Sequence, residues 1–282
     1  MEKKRLVVVE TDNKPASTER IGSRRAKRQE AQAKYERMWL TAPGQFDPTR
    51  NCMERERLER TWQLINEFVD LNGKRAVDLG CGSGHLARRL KDAGAIVQAV
   101  DISSNALKEL KKWHIDAIQD TLPDTSLPDG AYDVVVSTDV IAELPRSEHR
   151  LYMAELARLV TAKGYVVCST PIDIHSEDAL QQLAELAHTE FDVLKWVYSY
   201  HALYVRLKAF VEAVPIPYIT HPLARLLRQN RTLLLKLEKI CHFFSDVNGI
   251  SHAIFIAQRR PLEIPDMDHR PVERPKKREV WE

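Results

Sequence analysis

The strongest fold signal in this chain is the run Arg75-Ala76-Val77-Asp78-Leu79-Gly80-Cys81-Gly82-Ser83-Gly84. Its first half is typical of a short buried strand that ends next to an acid, and its second half is a glycine-rich turn. A helical pattern of apolar residues follows directly, over 86–93. A turn of this kind, between a strand and a helix, forms the ligand-binding edge of an open α/β sheet.

Strand and helix patterns alternate on the C-terminal side of this run. Short apolar runs predict strands at 75–79, 96–100, 115–118, 133–137, 164–170, 191–196 and 253–258. Helical patterns at 86–93, 105–113, 149–159 and 176–187 separate most of them. This alternation predicts an α/β, Rossmann-like sheet of seven mostly parallel strands with helices on both faces.

The flanking segments predict six regions along the chain. Residues 1–33 are polar and basic-rich and predict a flexible, partly helical tail, and 34–73 predict a helical extension that acts as a lid. The sheet domain then occupies 74–200, a helical insert 201–250 and the last strand 251–260. Within the insert, apolar spacing predicts one helix over 203–214 and another over 223–240. The last region, 261–282, contains four prolines among mixed charges and predicts a disordered tail.

Composition excludes several classes of protein. The net charge of +2 across 282 residues does not favour a nucleic-acid partner, and no stretch approaches the ~18 apolar residues that span a bilayer. The first ten residues lack the pattern of a secretory signal. The four cysteines form no C-x-x-C pair, so neither a zinc site nor a disulfide framework is expected. A reducing cytoplasm fits this composition.

The residues of the turn favour a cationic ligand that has no phosphate. His85 stands where a dinucleotide-binding fingerprint has its third glycine, and no Gly-Lys-Ser/Thr follows as in a P-loop. Asp78 would repel a phosphate but would attract an ammonium or a sulfonium. Asp101 ends the next strand, 19 residues after Gly82, where it can accept hydrogen bonds from a ribose. Ordinary turn and capping chemistry is the alternative interpretation.

In residues 76–170 the chain resembles the class I, Rossmann-like S-adenosylmethionine-dependent methyltransferases of the small-molecule type. The resemblance rests on the D-x-G-x-G-x-G loop and on the acids that follow the next strands. It implies S-adenosylmethionine as cofactor, and an enzyme. The implied cofactor-binding residues are Asp78, Leu79, Gly80, Cys81, Gly82, Gly84, Asp101, Ile102, Asp120 and Thr138. For the adenine contact, Asp116 or Asp124 could replace Asp120.

The catalytic and acceptor residues carry weaker signals. Asp139 and Glu143 follow the fourth strand and are the candidate catalytic residues, and His175 is a further candidate base. Tyr35, Trp39, Tyr198 and His201 are the candidate contacts of the acceptor. No metal is expected. The segment 139–143 lacks the acid-x-x-Glu-His motif that ubiquinone-pathway enzymes of this fold link to metal, and the ten histidines show no H-x-x-x-H pair.

The predicted function is transfer of a methyl group to a small, lipophilic acceptor. One alternative is an RNA or protein methyltransferase that uses the basic N-terminal region as an arm, and another is a non-catalytic module that binds the cofactor. The predicted partners are a small-molecule acceptor and a membrane surface, which the basic, apolar insert would contact peripherally. No stable nucleic-acid partner is expected.

Overall fold

The computed structural model describes residues 16–176, 178–214, 217–244 and 249–261. Seven strands form one sheet: β1 (Arg75–Leu79), β2 (Ile96–Asp101), β3 (Asp116–Gln119), β4 (Tyr132–Thr138), β5 (Val160–Pro171), β6 (Phe191–Ser199) and β7 (His252–Arg259). Their order is β3-β2-β1-β4-β5-β7-β6, and only β7 runs antiparallel to its neighbours. The predicted Rossmann-like sheet is therefore confirmed.

The helices of the described residues pack around this sheet. They are α1 (Ala16–Thr41), α2 (Cys52–Phe68), α3 (His85–Asp92), α4 (Lys108–Lys112), α5 (His149–Leu159), α6 (Ala179–Ala187), α7 (Ala202–Ala213), α8 (Pro217–Gln229) and α9 (Arg231–Phe244). None of these described helices combines the length and the apolar character needed to cross a bilayer.

The sheet is buried on both faces. Along β4, Val134 and Val136 belong to the apolar cluster shared with α2 and α3, whereas Val135 belongs to the cluster shared with α5 and α6. Side chains of a strand point alternately to opposite faces, so apolar residues at every position require a helical layer on each side. This arrangement leaves the carboxyl ends of the parallel strands as the open edge of the domain.

Three helices differ from their predicted limits. Helix α1 runs without a break from Ala16 through Thr41, across the predicted limit of the N-terminal tail at residue 33. The first half of this helix contains few apolar residues, so no apolar stripe at helical spacing indicated it in the sequence, although many of its residues favour helix. The predicted helix 105–113 is only the five-residue α4, since the backbone of Asn105 is held by Glu36 instead. The predicted helix 223–240 is two helices, because the Asn230 side chain accepts from the Leu233 N–H and starts α9. Of the predicted tail 261–282, residues 262–282 lie outside the described part.

Candidate active site

The glycine turn after β1 has a conformation and a packing that exclude a side chain. Gly80 and Gly82 have φ values of +72° and +53°, in the left-handed region that favours glycine. A Cβ on Gly80 would lie 2.2 Å from a methyl group of Val140, and one on Gly82 would lie 2.8 Å from the ring of Trp39. The turn is thus enclosed between the β4 loop and α1.

Asp101 holds the turn in place from the end of β2. One carboxylate oxygen accepts from the backbone N–H of Gly82 at 2.9 Å and the other from the N–H of Ser103 at 2.9 Å. Burial raises the pKa of Asp101 above its ordinary value, although these hydrogen bonds oppose the rise. Each oxygen keeps a second lone pair for a ligand.

Asp78 lies beneath the turn with no charge partner. It is 1% exposed, and neither carboxylate oxygen has a hydrogen-bond partner of standard geometry among the described residues. Burial raises its pKa to about 7; the nearby Ala87 N–H opposes this rise and the negative Asp101 adds to it. A buried carboxylate without a partner is costly, so this position is built for a cationic group.

A cavity of about 500 Å³ opens above the turn, at the carboxyl edge of the sheet. The predicted cofactor-binding residues that line it are Asp78, Gly80, Cys81, Gly82, Asp101, Ile102, Asp120 and Thr138. Two of the predicted cofactor-binding residues do not line the cavity. Leu79 is fully buried in the core, and Gly84 packs on α4, where a Cβ would lie 2.8 Å from the side chain of Leu110. The third glycine therefore serves helix packing.

Asp120 lines the cavity and also closes its own loop. Its carboxylate accepts from the backbone N–H groups of Thr121 and Ser126, each at 2.7 Å. The alternatives point elsewhere: Asp116 accepts from Gln98 and Asp124 pairs with Arg28 at 3.6 Å. The geometry thus favours Asp120 among the three acids after β3.

Helix α1 covers the cavity, and Glu36 fastens it there. Tyr35 and Trp39 of α1 line the cavity. The Glu36 carboxylate accepts from the Ser103 hydroxyl at 2.9 Å and from the backbone N–H groups of Ser104 and Asn105 at 2.7 and 3.1 Å. Burial alone would raise the pKa of Glu36, but these hydrogen bonds lower it to about 2. The sequence offers no signal for this contact, since its partners lie 67 to 69 residues away.

Asp139 is the centre of a partly buried network at the floor of the cavity. One oxygen accepts from His252 Nε2 at 2.6 Å and from the Ser169 hydroxyl at 3.1 Å, and the other from Arg57 Nη1 at 3.0 Å. Burial would raise its pKa, yet the charges of His252 and Arg57 hold that pKa well below its usual range. An acid so strongly stabilised as an anion is a poor proton acceptor, so the geometry does not support Asp139 as a catalytic base. Sequence reasoning missed Arg57 and His252, which lie 82 and 113 residues away.

Glu143, the other predicted catalytic residue, also lines the cavity. It lies on the 3₁₀ turn Ile141–Glu143, and its carboxylate accepts from Lys34 Nζ at 3.2 Å. Tyr35 lies beside it: burial first, and then Glu143, raise the pKa of this phenol far above its usual range. Tyr35 is thus a neutral hydroxyl that faces a carboxylate.

The structure does not place the other two predicted acceptor contacts at the cavity. His201 is fully buried at the start of α7, with Nε2 3.5 Å from Glu238. Tyr198 stacks on Trp196 along β6, with ring centroids 6.1 Å apart. Neither lines the cavity, and neither does the candidate base His175. Within the described residues, no group of three or more His, Cys, Asp or Glu could hold a metal ion.

Comparison with known proteins agrees with this geometry. Residues 77–168 match the model of a protein family described as "Methyltransferase domain". The chain carries a class I S-adenosylmethionine-dependent methyltransferase domain. The family, enzyme class and cofactor predicted from the turn are thereby confirmed at the level of this methyltransferase domain.

Two curated relatives share part of their length with the chain. The chloroplastic magnesium protoporphyrin IX methyltransferase of Arabidopsis thaliana is 31% identical over 160 residues, which cover 52% of this chain and 51% of that protein. The ubiquinone biosynthesis O-methyltransferase of Vibrio campbellii is 27% identical over 156 residues, covering 46% and 66%. The chain thus spans between half and two thirds of the length of these relatives.

A solved structure shows the same fold. The N-methyltransferase NodS of Bradyrhizobium japonicum, in complex with S-adenosyl-L-homocysteine, superposes with a TM-score of 0.51. It is 11% identical, and the match covers 77% of this chain and 91% of that one. At this identity the likeness concerns the fold of the methyltransferase domain alone.

Proposed function

We propose that this protein transfers a methyl group from S-adenosylmethionine to a small, lipophilic acceptor held between the glycine turn and helices α1 and α2. The observation that carries the proposal is the buried, unpaired carboxylate of Asp78 beneath a turn that has no phosphate-binding lysine. The names of both curated relatives refer to small-molecule chemistry, which supports a small acceptor here.

The residues of the turn fit the cofactor. S-adenosylmethionine supplies a methyl group on a positively charged sulfur, which leaves as a neutral thioether. In the proposed complex, Asp78 pairs with the ammonium group of the methionine portion, and Asp101 accepts from the ribose hydroxyls with its free lone pairs. Ile102 lies against the adenine, whose amino group donates to Asp120. Thr138 lines the cavity where β4 ends.

The remaining lining of the cavity suits an acceptor with an apolar body. Leu58, Leu144, Pro145 and Pro171 supply apolar surface. The Arg57 guanidinium crosses this region, pinned between Glu54 at 3.2 Å and Asp139 at 3.0 Å. Holding the nucleophilic atom of the acceptor in line with the methyl group can lower the barrier to methyl transfer by about 7–11 kcal/mol.

A proton, where the acceptor has one to lose, passes in this proposal to Glu143. Asp139 keeps its negative charge throughout and acts as a positioning residue for Arg57. Tyr35, on the lid helix, stays protonated and helps to exclude water from the cavity.

The first test measures binding of S-adenosyl-L-homocysteine by titration calorimetry. We expect Asp101→Ala to weaken binding by about 1–3 kcal/mol, the range for hydrogen bonds that a buried acid makes. The matched control is Asp116→Ala, on the adjacent strand and outside the cavity, which should bind as the wild type does. Equal affinity in all three proteins would refute the placement of the cofactor.

The second test identifies the acceptor class. The purified protein is incubated with methyl-labelled S-adenosylmethionine and fractionated cell extract, and the fraction that gains label is determined. Label in small, organic-extractable solutes supports the proposal. Label in RNA or protein favours the alternative, in which the basic N-terminal region acts as an arm. Two basic residues of that region, Lys27 and Arg28, line the cavity. Intact binding without any label favours a non-catalytic module.

A peripheral membrane contact through α9 is part of the proposal. Lys236, Lys239, Ile240 and Phe243 recur at helical spacing on its outer face, and Phe243 and Phe244 are 82% and 79% exposed. Exposed aromatics beside lysines match an anionic lipid surface. We expect Phe243→Ser to reduce sedimentation with phosphatidylglycerol vesicles, while Leu194→Ser, at an exposed leucine of β6, should not.

The proposed compartment is the cytoplasm, because all four cysteines are free thiols.

A further inference from the structure

A separate cavity of about 650 Å³ lies between the loop 43–50 and helix α8. The residues that line it are Gly44, Arg50, His221, Ala224, Arg225, Arg228 and Gln229. We call this cavity the basic cleft.

The basic cleft concentrates positive charge in a nearly neutral chain. Its lining includes three arginines and a histidine but no carboxylate, whereas the chain as a whole has 42 Lys and Arg against 40 Asp and Glu. Arg50 lies 3.5 Å from the half-buried carboxylate of Asp47, and Arg228 lies 3.2 Å from the exposed carboxylate of Glu212. Arg225 forms no ion pair within the described part of the chain. Two of the three arginines thus already have a carboxylate neighbour, and Arg225 is the one whose charge is not compensated within the described residues; the exposed pair of Arg228 contributes little to stability.

The arginines of α8 lie opposite the face that anchors this helix. His221, Arg225 and Arg228 are spaced by four and three residues, which places them on one side of α8. The buried Leu227 lies on another side, where its carbonyl accepts from the Tyr204 hydroxyl at 2.6 Å. The guanidinium groups of Arg225 and Arg228 are neighbours on the helix surface and repel each other, although Arg228 also pairs with Glu212 of α7. A bound anion would reverse that effect.

The loop 43–50 is shared between the two cavities. Phe46 and Pro48 line the cofactor cavity, while Gly44 and Arg50 line the basic cleft. The Arg50 side chain passes over Gly44, where an added Cβ would lie 3.3 Å from its Cδ. A ligand in the basic cleft would therefore contact the same short loop that borders the acceptor.

We propose that the basic cleft binds a phosphate group. Guanidinium groups present planar pairs of N–H donors that match the oxygens of a phosphate, and three of them surround one cavity here. The basic cleft shares no lining residue with the cofactor cavity, and S-adenosylmethionine has no phosphate, so the proposed phosphate is not part of the cofactor. The phosphate belongs either to a free anion or to the acceptor molecule itself; only the second source rests on the proposed function.

The test titrates inorganic phosphate into the whole protein, without cofactor, by calorimetry at low salt. We expect Arg225→Gln to weaken phosphate binding at least tenfold, and Arg225→Lys to weaken it less because the charge remains. Arg206→Gln, which removes an exposed arginine from α7 outside the basic cleft, is the matched control and should bind as the wild type does. No phosphate binding, or equal losses in Arg225→Gln and Arg206→Gln, would overturn the proposal.

A second measurement separates the two sources. Once an acceptor fraction has been labelled, inorganic phosphate is added to the methylation reaction. Competition with the acceptor, together with a raised KM and an unchanged kcat in Arg225→Gln, assigns the phosphate to the acceptor. Unchanged methylation assigns it to a free anion. Because the calorimetry needs no methyl transfer, failure of the proposed function and failure of the phosphate site give different results.

Discussion

Replacing Asp78 by asparagine separates the folding role of this side chain from its binding role. Burial raises its pKa from the ordinary 3.8 to about 7 in the folded protein. The folded state therefore binds more protons than the unfolded state between about pH 4 and pH 7. Stability falls as the pH rises through this window, at about 1.4 kcal/mol per pH unit. The full cost of the ionised carboxylate, about 4 kcal/mol, is present above pH 7.

Asparagine has nearly the same shape and cannot ionise. Without cofactor, we expect Asp78→Asn to be more stable than the wild type by about 1.5 kcal/mol at pH 5 and by about 4 kcal/mol at pH 8. Urea denaturation at the two pH values measures both differences. Asp116→Asn, at an exposed acid, is the control and should show no such pH dependence.

The same substitution should weaken the binding of S-adenosyl-L-homocysteine about 10- to 100-fold, because a hydrogen bond to a charged group is worth about 1.5–3 kcal/mol. In the wild type, affinity should rise between pH 6 and pH 8 as Asp78 ionises, and this rise should disappear in Asp78→Asn. A variant that is less stable than the wild type at pH 8 would contradict the cost assigned to the buried carboxylate. A variant that binds as tightly as the wild type would show that Asp78 does not hold the cationic end of the cofactor.

Three further predictions concern the glycine turn, its aromatic cover and the network at the floor of the cavity. Gly80→Ala and Gly73→Ala share the strain of a +72° φ, about 1–3 kcal/mol, but only at Gly80 does the new Cβ meet another atom, 2.2 Å away; thermal melts should show Gly80→Ala as the more destabilised, and equal shifts would contradict the tight turn. Trp39→Ala removes the aromatic cover of the turn, and we expect about a tenfold loss of S-adenosyl-L-homocysteine affinity in calorimetry, with the fold retained by circular dichroism. Asp139→Ala leaves the guanidinium of Arg57 with Glu54 as its only acidic partner among the described residues and should lower the free energy of unfolding by about 3 kcal/mol in urea; a loss below 1 kcal/mol would contradict the importance of this partly buried network.

Local sequence signals were sufficient wherever the structure repeats a local pattern. The alternation of apolar runs predicted the seven strands, because each strand and each amphipathic helix records its own burial in its own residues. The glycine turn and Asp78 predicted which edge of the sheet binds the cofactor. Both signals, the glycines that allow a left-handed backbone and an acid that would repel a phosphate, lie within the eight residues from Val77 to Gly84. Fold, family and cofactor type follow from these short-range features.

Contacts between distant segments were beyond the reach of the sequence. Glu36 on α1 fastens the lid to residues 103–105, and Arg57, Asp139 and His252 meet at the cavity floor from α2, the β4 loop and β7. Tyr198 and His201 were predicted as acceptor contacts from their position in the chain, yet neither lines the cavity in the folded protein. A side chain's role in such a site depends on which elements the fold brings within hydrogen-bond distance. That proximity is created by the packing of helices onto the sheet and leaves no periodic trace in the residues themselves.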